Sequence, residues 1–315
     1  YGELADRIDE ESRKFGGFLR KKDLENHKVE WVDPIHVDYH GYQVWELPPN
    51  GQGIVALMAL NILNNFKFET RDANCIHTQM EALKMAFADA KEYVTDAKYM
   101  KMPIHDLISK EYGRQRASQI TNMALAPSVD KPHGSGTVYL CTADKEGNMV
   151  SYIQSNYMGF GSGIVVDGIS LQNRGYDFSL DPNHVNYLMP HKKTYHTIIP
   201  GFLTQNGKPI GPFGVMGGYM QPQGHMQVVS NMIDFHLNPQ MALDAKRFQW
   251  IEGMKFIVEP GFDEKIISEL KKRGHEIEVE NEWAMFGRGQ IIVRLENGAY
   301  VAGCEARTDS NIACY

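Results

Sequence analysis

The chain has 315 residues, 43% of them hydrophobic, and a formal net charge of −7. That length holds a large core, either as about two average domains or as one large α/β unit. Acidic and basic residues are interspersed, without the basic block that a nucleic-acid footprint requires, and no apolar run reaches the ~18–20 residues of a membrane span. The cysteines, Cys75, Cys141, Cys304 and Cys314, form no C-x-x-C pair, so neither a zinc ribbon nor a thioredoxin-like motif is indicated.

The first stretch, "YGELADRIDEESRKFGG", reads as an amphipathic helix stopped by Gly16 and Gly17. A chain that opens inside a helix, with no signal peptide or initiator methionine, reads as the later part of something longer, and leaves the compartment open. "ELPPNGQG" is a loop feeding a helix, "GQGIVALMALNILNNF". That run and "NCIHTQMEALKMAFADAKEYV" carry apolar residues at three- and four-residue spacing. "DLISKEYGRQRASQI" is a further helical stretch, after which the pattern fades into "PSVDKPHGSG", a linker by composition.

Strands dominate from there. In "TVYLCTAD", Val138, Leu140 and Thr142 alternate with Tyr139, Cys141 and Ala143. "DKEGN" is a turn closed by Gly147 and Asn148, and "MVSYIQS" is the returning strand. "HTIIPGFLTQNGKPIGPFGV" is a hairpin turning at Asn206-Gly207, and "GHMQVVSNMIDFHLN" is a helix. "FDEKIISELKKRGHEIEVE" is a helix capped by Asp263 and stopped at Gly274, then a strand. "QIIVRLENGAYVAGCEAR" is a hairpin turning at Asn297-Gly298. Helices flanking clustered strands predict a layered α/β or α+β sandwich.

Thr137 sits where the linker meets the first of these strands. A threonine there is ordinarily a β-branched residue in a favourable place. It acquires chemistry only if the Gly136–Thr137 bond is cut. A hydroxyl is a poor nucleophile without a base, and a chain-terminal threonine carries one, an α-amine of pKa about 7.7–8.0.

The ordered set of motifs resembles the γ-glutamyltranspeptidase family of N-terminal-nucleophile hydrolases. Thr137 followed by "DKEGN" from Asp144 matches the start of that family's small subunit. "GGFLRKKDLENH" and "GYQVWELPPNGQGIVALMALNIL" are similar to its late large-subunit segment. "GFGSGIVVDG", "LQNRGYDFSLDP", "IPGFLTQNGKP" and "GGYMQPQGHMQVVSNMIDF" follow in family order. The resemblance implies an α+β fold, a four-layer αββα sandwich. Residues 1–136 would be the C-terminal part of the large subunit, mostly helical, and 137–315 the small, catalytic one, both in one globular unit. Self-cleavage would fall between Gly136 and Thr137. The missing N-terminal part of the large subunit would be a partner, a homo-oligomer is left open, and no metal or organic cofactor is implied.

By the same resemblance Thr137 is the nucleophile and Ser155 the second hydroxyl that hydrogen-bonds it. Gly217 and Gly218 supply oxyanion N–H groups, and Asp177 receives the α-ammonium of a γ-glutamyl donor. Each has a plainer reading: a strand-edge serine, an ordinary strand-to-helix loop, a turn aspartate. This chain also departs from the family. Val138 and Tyr139 replace a threonine and a histidine, Tyr157 replaces an asparagine, and Arg174 replaces the pocket glutamine. His196 and Thr197 replace two serines that hold the α-carboxylate. Arg174 is a candidate carboxylate ligand or a structural ion pair, and His196 a pocket residue or a core histidine. "LQNRG" and "FSLDP" resemble the acylase-like branch. The implied reaction is acyl transfer from a γ-glutamyl or similar dicarboxylic amide to water or an amine. A glutaryl-type (cephalosporin) amide acylase and an unprocessed, non-catalytic binding member of the fold are the alternatives.

Overall fold

The computed structural model describes residues 1–126 and 137–315. Helices α1 (Glu3–Lys14) and α2 (Lys21–Asn26) precede strands β1 (Ile35–Tyr39) and β2 (Tyr42–Glu46). Helices α3 (Gly53–Leu63), α4 (Ala73–Tyr93), α5 (Ile104–Leu107) and α6 (Lys110–Ala117) follow. Then come β3 (Thr137–Ala143), β4 (Met149–Ser155), β5 (Val165–Val166), β6 (Ile169–Ser170), β7 (Gly201–Gln205), β8 (Lys208–Met216) and α7 (Met220–Ile233). Last are α8 (Pro239–Asp244), β9 (Phe248–Glu252), β10 (Lys255–Val258), α9 (Glu264–Lys272), β11 (Glu276–Val279), β12 (Arg288–Arg294) and β13 (Tyr300–Cys304).

The expected α+β sandwich is the fold observed. The main sheet has six strands in the order β1-β2-β7-β8-β12-β13, all paired antiparallel. Helices α3, α7 and α8 pack on it, and α4 lies across α3. A small sheet, β11-β10-β9, joins α4, α7 and α9. The β3–β4 ribbon packs on β8 and β12 and so opens a second sheet layer. Tyr139 points into this interface, where a Cβ on Gly214 would meet its ring at 2.4 Å. The other face of the ribbon, with Val138, Leu140, Val150 and Tyr152, is exposed.

Helix α3 is enclosed on every side: all its residues from Gly53 to Leu63 are buried. Apart from Asn61, whose amide donates to Ile108 O and Ser109 O, it is apolar all round, and such a helix is stable only inside a core. The 106–120 stretch breaks into α5 and α6, because the Ser109 hydroxyl accepts the Tyr112 N–H at 3.1 Å and starts a new helix. The hairpin of β1 and β2 lies in the part expected to be mostly helical. It turns at His40 and Gly41, with φ of 45° and 91°, and pairs with β7 in the main sheet. The predicted "PSVDKPHGSG" linker and Gly136 lie outside the described residues.

Candidate active site

Strand register places the two hydroxyls opposite each other. The turn after β3 is closed by Asp144, whose carboxylate accepts the Asn148 N–H at 2.9 Å and its side-chain amide at 2.8 Å. With that turn fixed, Thr137 pairs with Ser155 across the ribbon. Thr137 is buried, and its hydroxyl donates to Ser155 Oγ at 3.1 Å. Ser155 Oγ also accepts the Tyr157 N–H at 2.8 Å. Tyr157 itself has φ 77°, a conformation that costs a bulky side chain ~1–3 kcal/mol and clusters at functional sites.

Gly217 and Gly218 lie between β8 and α7, with φ of 146° and 57°. A Cβ on Gly217 would meet the Gly287 Cα at 3.1 Å. Their carbonyls start the helix: Gly217 O accepts from Met220 N–H at 3.0 Å and Gly218 O from Gln221 N–H at 3.1 Å. In a trans peptide the N–H opposes the C=O. The Gly218 N–H, which shares its peptide with Gly217 O, therefore points out of the helix start. Among the described residues neither glycine N–H meets an acceptor. Such outward donors at a helix N-terminus favour an anion.

The remaining pocket candidates form one cluster. Arg174 is buried, with its guanidinium 4.6 Å from the centre of the Tyr157 ring. Its Nη1 donates to Thr197 Oγ1 at 2.5 Å and lies 3.7 Å from Asp177 Oδ2. Nη2 has no hydrogen-bond partner among the described residues, and neither has Asp177 Oδ2. Asp177 Oδ1 accepts the Tyr219 hydroxyl at 3.2 Å. Burial raises the Asp177 pKa, against the opposing effects of Tyr157, Arg174 and Tyr219. His196 Nδ1 accepts the Ile198 N–H at 3.3 Å, which leaves the ring proton on Nε2. Burial and then the Arg174 charge push the His196 pKa down to about 3, so the ring is neutral.

Contacts link this cluster to the Thr137–Ser155 pair and to the Gly217-Gly218 turn. On one side Thr137, Ser155, Tyr157 and Arg174 touch in turn. On the other, Arg174 meets Thr197, and Gln52 binds both Thr197 O and Gly218 O. The sequence singled out neither Gln52 nor Tyr219, and Tyr157 only as a residue that replaces an asparagine. A glutamine between two glycines in "PNGQG" was the available signal for the first. An aromatic cavity of about 380 Å³ adjoins Asp177 and Tyr219, with Phe87, Tyr195 and Trp250 in its walls.

His77, Glu81 and His275 bring three potential metal-ligating atoms within 4.8 Å of one another, all buried. Their protons are already assigned by hydrogen bonds. His77 Nε2 donates to Thr121 O at 2.7 Å, so His275 Nε2 donates to His77 Nδ1 at 2.8 Å. The Lys84 ammonium sits 2.6 Å from Glu81 Oε1 and supplies the positive charge that a cation would bring. The group is a structural cluster between α4 and the small sheet.

The chain is similar to known proteins. The family model Gamma-glutamyltranspeptidase matches residues 1–315. The chain is 38% identical, over 98% of its length, to the glutathione hydrolase-like YwrD proenzyme of Bacillus subtilis (strain 168), covering 61% of that protein. It is 32% identical to the glutathione hydrolase proenzyme of Escherichia coli (strain K12), over all of this chain and 58% of that protein. Among solved structures, a cephalosporin acylase from Bacillus halodurans is 56% identical with a TM-score of 0.96, over all of this chain and 59% of that one. The chain thus spans about three-fifths of the length of these relatives.

Proposed function

The chain belongs to the γ-glutamyltranspeptidase family, and we propose that it carries the nucleophile, oxyanion donors and acyl pocket of a self-cleaving amide hydrolase. The observation that carries this is the Thr137–Ser155 hydroxyl pair at a strand start, linked through the pocket to two glycine N–H groups with no described acceptor. Cleavage of the Gly136–Thr137 bond frees the Thr137 α-amine. That amine takes the hydroxyl proton as Oγ attacks the amide carbonyl of the donor. The Gly217 and Gly218 N–H groups hold the oxyanion. The C–N bond breaks, the proton passes to the leaving amine, and an ester on Thr137 remains. Water, or an amine, then takes the acyl group by the reverse sequence.

The donor is a γ-glutamyl amide or a similar dicarboxylic amide. Arg174 Nη2 and Asp177 Oδ2 each lack a hydrogen-bond partner among the described residues, and such a donor and acceptor suit the carboxylate and ammonium of an α-amino-acid head group. Thr197 binds Arg174 through its hydroxyl, and the Arg174 charge also acts on His196, which supports placing both residues in the proposed carboxylate pocket. The part of the relatives' length that this chain does not span is the expected partner. The exposed apolar face of the β3–β4 ribbon supports such packing.

A second reading, an amide acylase for donors without an α-ammonium, is favoured by one contact. Arg174 Nη1 already faces Asp177 Oδ2 at 3.7 Å, where an ammonium would sit. Comparing L-γ-glutamyl and glutaryl p-nitroanilides separates the two. On the first reading Asp177→Asn weakens the γ-glutamyl substrate about ten- to hundredfold more than the glutaryl one, the size of one charge-assisted bond. Arg174→Ala weakens both. Equal losses for Asp177→Asn would move the function to the acylase reading.

A further inference from the structure

Gln52 is fully buried, and its side-chain amide donates both hydrogens to main-chain carbonyls on two walls of the site. One goes to Gly218 O at 2.7 Å and the other to Thr197 O at 2.6 Å. The loop that carries Gln52 is itself fastened to the Thr197 wall. The Gln52 N–H donates to His196 O at 2.8 Å, the His196 N–H to Asn50 O at 2.9 Å, and the Asn50 amide to Thr194 O at 2.7 Å. The brace is therefore anchored in the acyl pocket and reaches across to the turn before α7.

That turn needs an outside restraint. Gly217 and Gly218 have no side chains to pack, and a glycine pair has more backbone freedom than any other. Oxyanion donors accelerate a reaction only when their aim is set before the charge develops. The Gly218 carbonyl is gripped twice, by the Gln221 N–H at 3.1 Å and by Gln52 Nε2. Gripping it fixes the peptide plane that follows Gly218 and so limits rotation of the pair. The helix N–H fixes the turn relative to α7. Gln52 fixes it relative to the wall that holds Thr197 and Arg174.

We infer that Gln52 is a positioning residue that sets the distance between the oxyanion donors and the acyl pocket. This rests on the assignment of Gly217 and Gly218 proposed above. The chemistry of the side chain is specific. A glutamate has no N–H to give and would turn a carboxylate oxygen toward two carbonyls. An asparagine keeps both hydrogens on a side chain one methylene shorter, and spans only one of the two contacts. An alanine leaves both carbonyls without this donor.

The test uses the full-length, self-cleaved protein with L-γ-glutamyl p-nitroanilide. Inhibition by L-glutamate reports ground-state binding. Inhibition by an alkylboronic acid, whose boron bonds to Thr137 Oγ to give a tetrahedral anion, reports the oxyanion site. In Gln52→Ala, kcat falls about ten- to hundredfold while KM and L-glutamate inhibition stay within about twofold. Boronate affinity falls by the same factor as kcat, Gln52→Asn is intermediate, and Gln52→Glu is worst. If Gln52→Ala does not mature, Gln52→Asn supplies the same readouts. An unchanged kcat, an unchanged boronate affinity, or equal losses in kcat, KM and L-glutamate binding would overturn the inference. Gly217→Ala separates it from its premise. Wild-type kcat and boronate affinity there remove the oxyanion assignment, whereas a failed Gln52 pattern beside a slowed Gly217→Ala enzyme removes only the brace.

Discussion

Thr137 has two jobs in the proposed mechanism, and each uses the same Oγ. Thr137→Ala should therefore abolish both self-cleavage and amide hydrolysis, while Thr137→Ser keeps some of each. Gel analysis and anilide hydrolysis check this together, and turnover by the alanine variant would place the nucleophile elsewhere. The pairing of Thr137 with Ser155 was legible because a local hairpin sets it, with its turn at Asp144–Asn148 fixing the register, whereas their roles rest on the family resemblance. The pocket was less legible. Gln52 meets Thr197 and Gly218 across 145 and 166 residues of chain, and no local pattern encodes such contacts. Asp177 illustrates the limit. Its motif suggested a receptor for an ammonium, but nothing local to that motif showed the Tyr219 hydroxyl, 42 residues further along the chain, that its Oδ1 accepts.

Among the elements, the β8–α7 junction carries the tightest steric demand. Gly217 combines φ 146° with 3.1 Å from a built Cβ to the Gly287 Cα, so alanine is strained there and has no flexible neighbour to displace. Gly217→Ala should lower kcat by about 10²–10³-fold, the usual effect of losing one oxyanion donor. Steady-state kinetics on correctly cut protein checks this, and wild-type kcat would contradict the assignment. Most elements with strong periodicity or turn signals were readable, including the Asn206-Gly207 hairpin, where both residues have positive φ. The β1–β2 hairpin was missed, although "IHVDY" and "YQVWE" flank a His40-Gly41 turn, because strong helices surround it. The break at Ser109 was missed because the apolar spacing of α5 and α6 runs across it.

At the scale of the whole molecule, pH tests how the helical layer joins the small sheet. His275 is held at a pKa of about 3 by burial, with the charge of Lys84 adding to it, and burial lowers the His77 pKa as well. An unfolded histidine titrates near ~6.5. Below that value the unfolded chain binds more protons than the folded one. The stability from neutral His275 is thus complete above ~6.5 and is lost as the pH falls toward about 3. The slope is at most ~1.4 kcal/mol per pH unit for one group. Burial raises the Glu81 pKa and acts in the opposite sense, so the variant comparison isolates the histidine. Urea unfolding of the full-length protein between about pH 6 and 4 should show a shallower decline in His275→Gln than in wild type. Identical slopes would contradict the neutral-ring cluster.

The central claim is that the chain is cut so that Thr137 becomes a terminus, and mass spectrometry with N-terminal sequencing of the purified full-length protein tests it most directly. Active protein should contain two fragments, one of which begins with Thr137-Val138-Tyr139. An active sample consisting of a single uncut chain, or one cut at another bond, would contradict it.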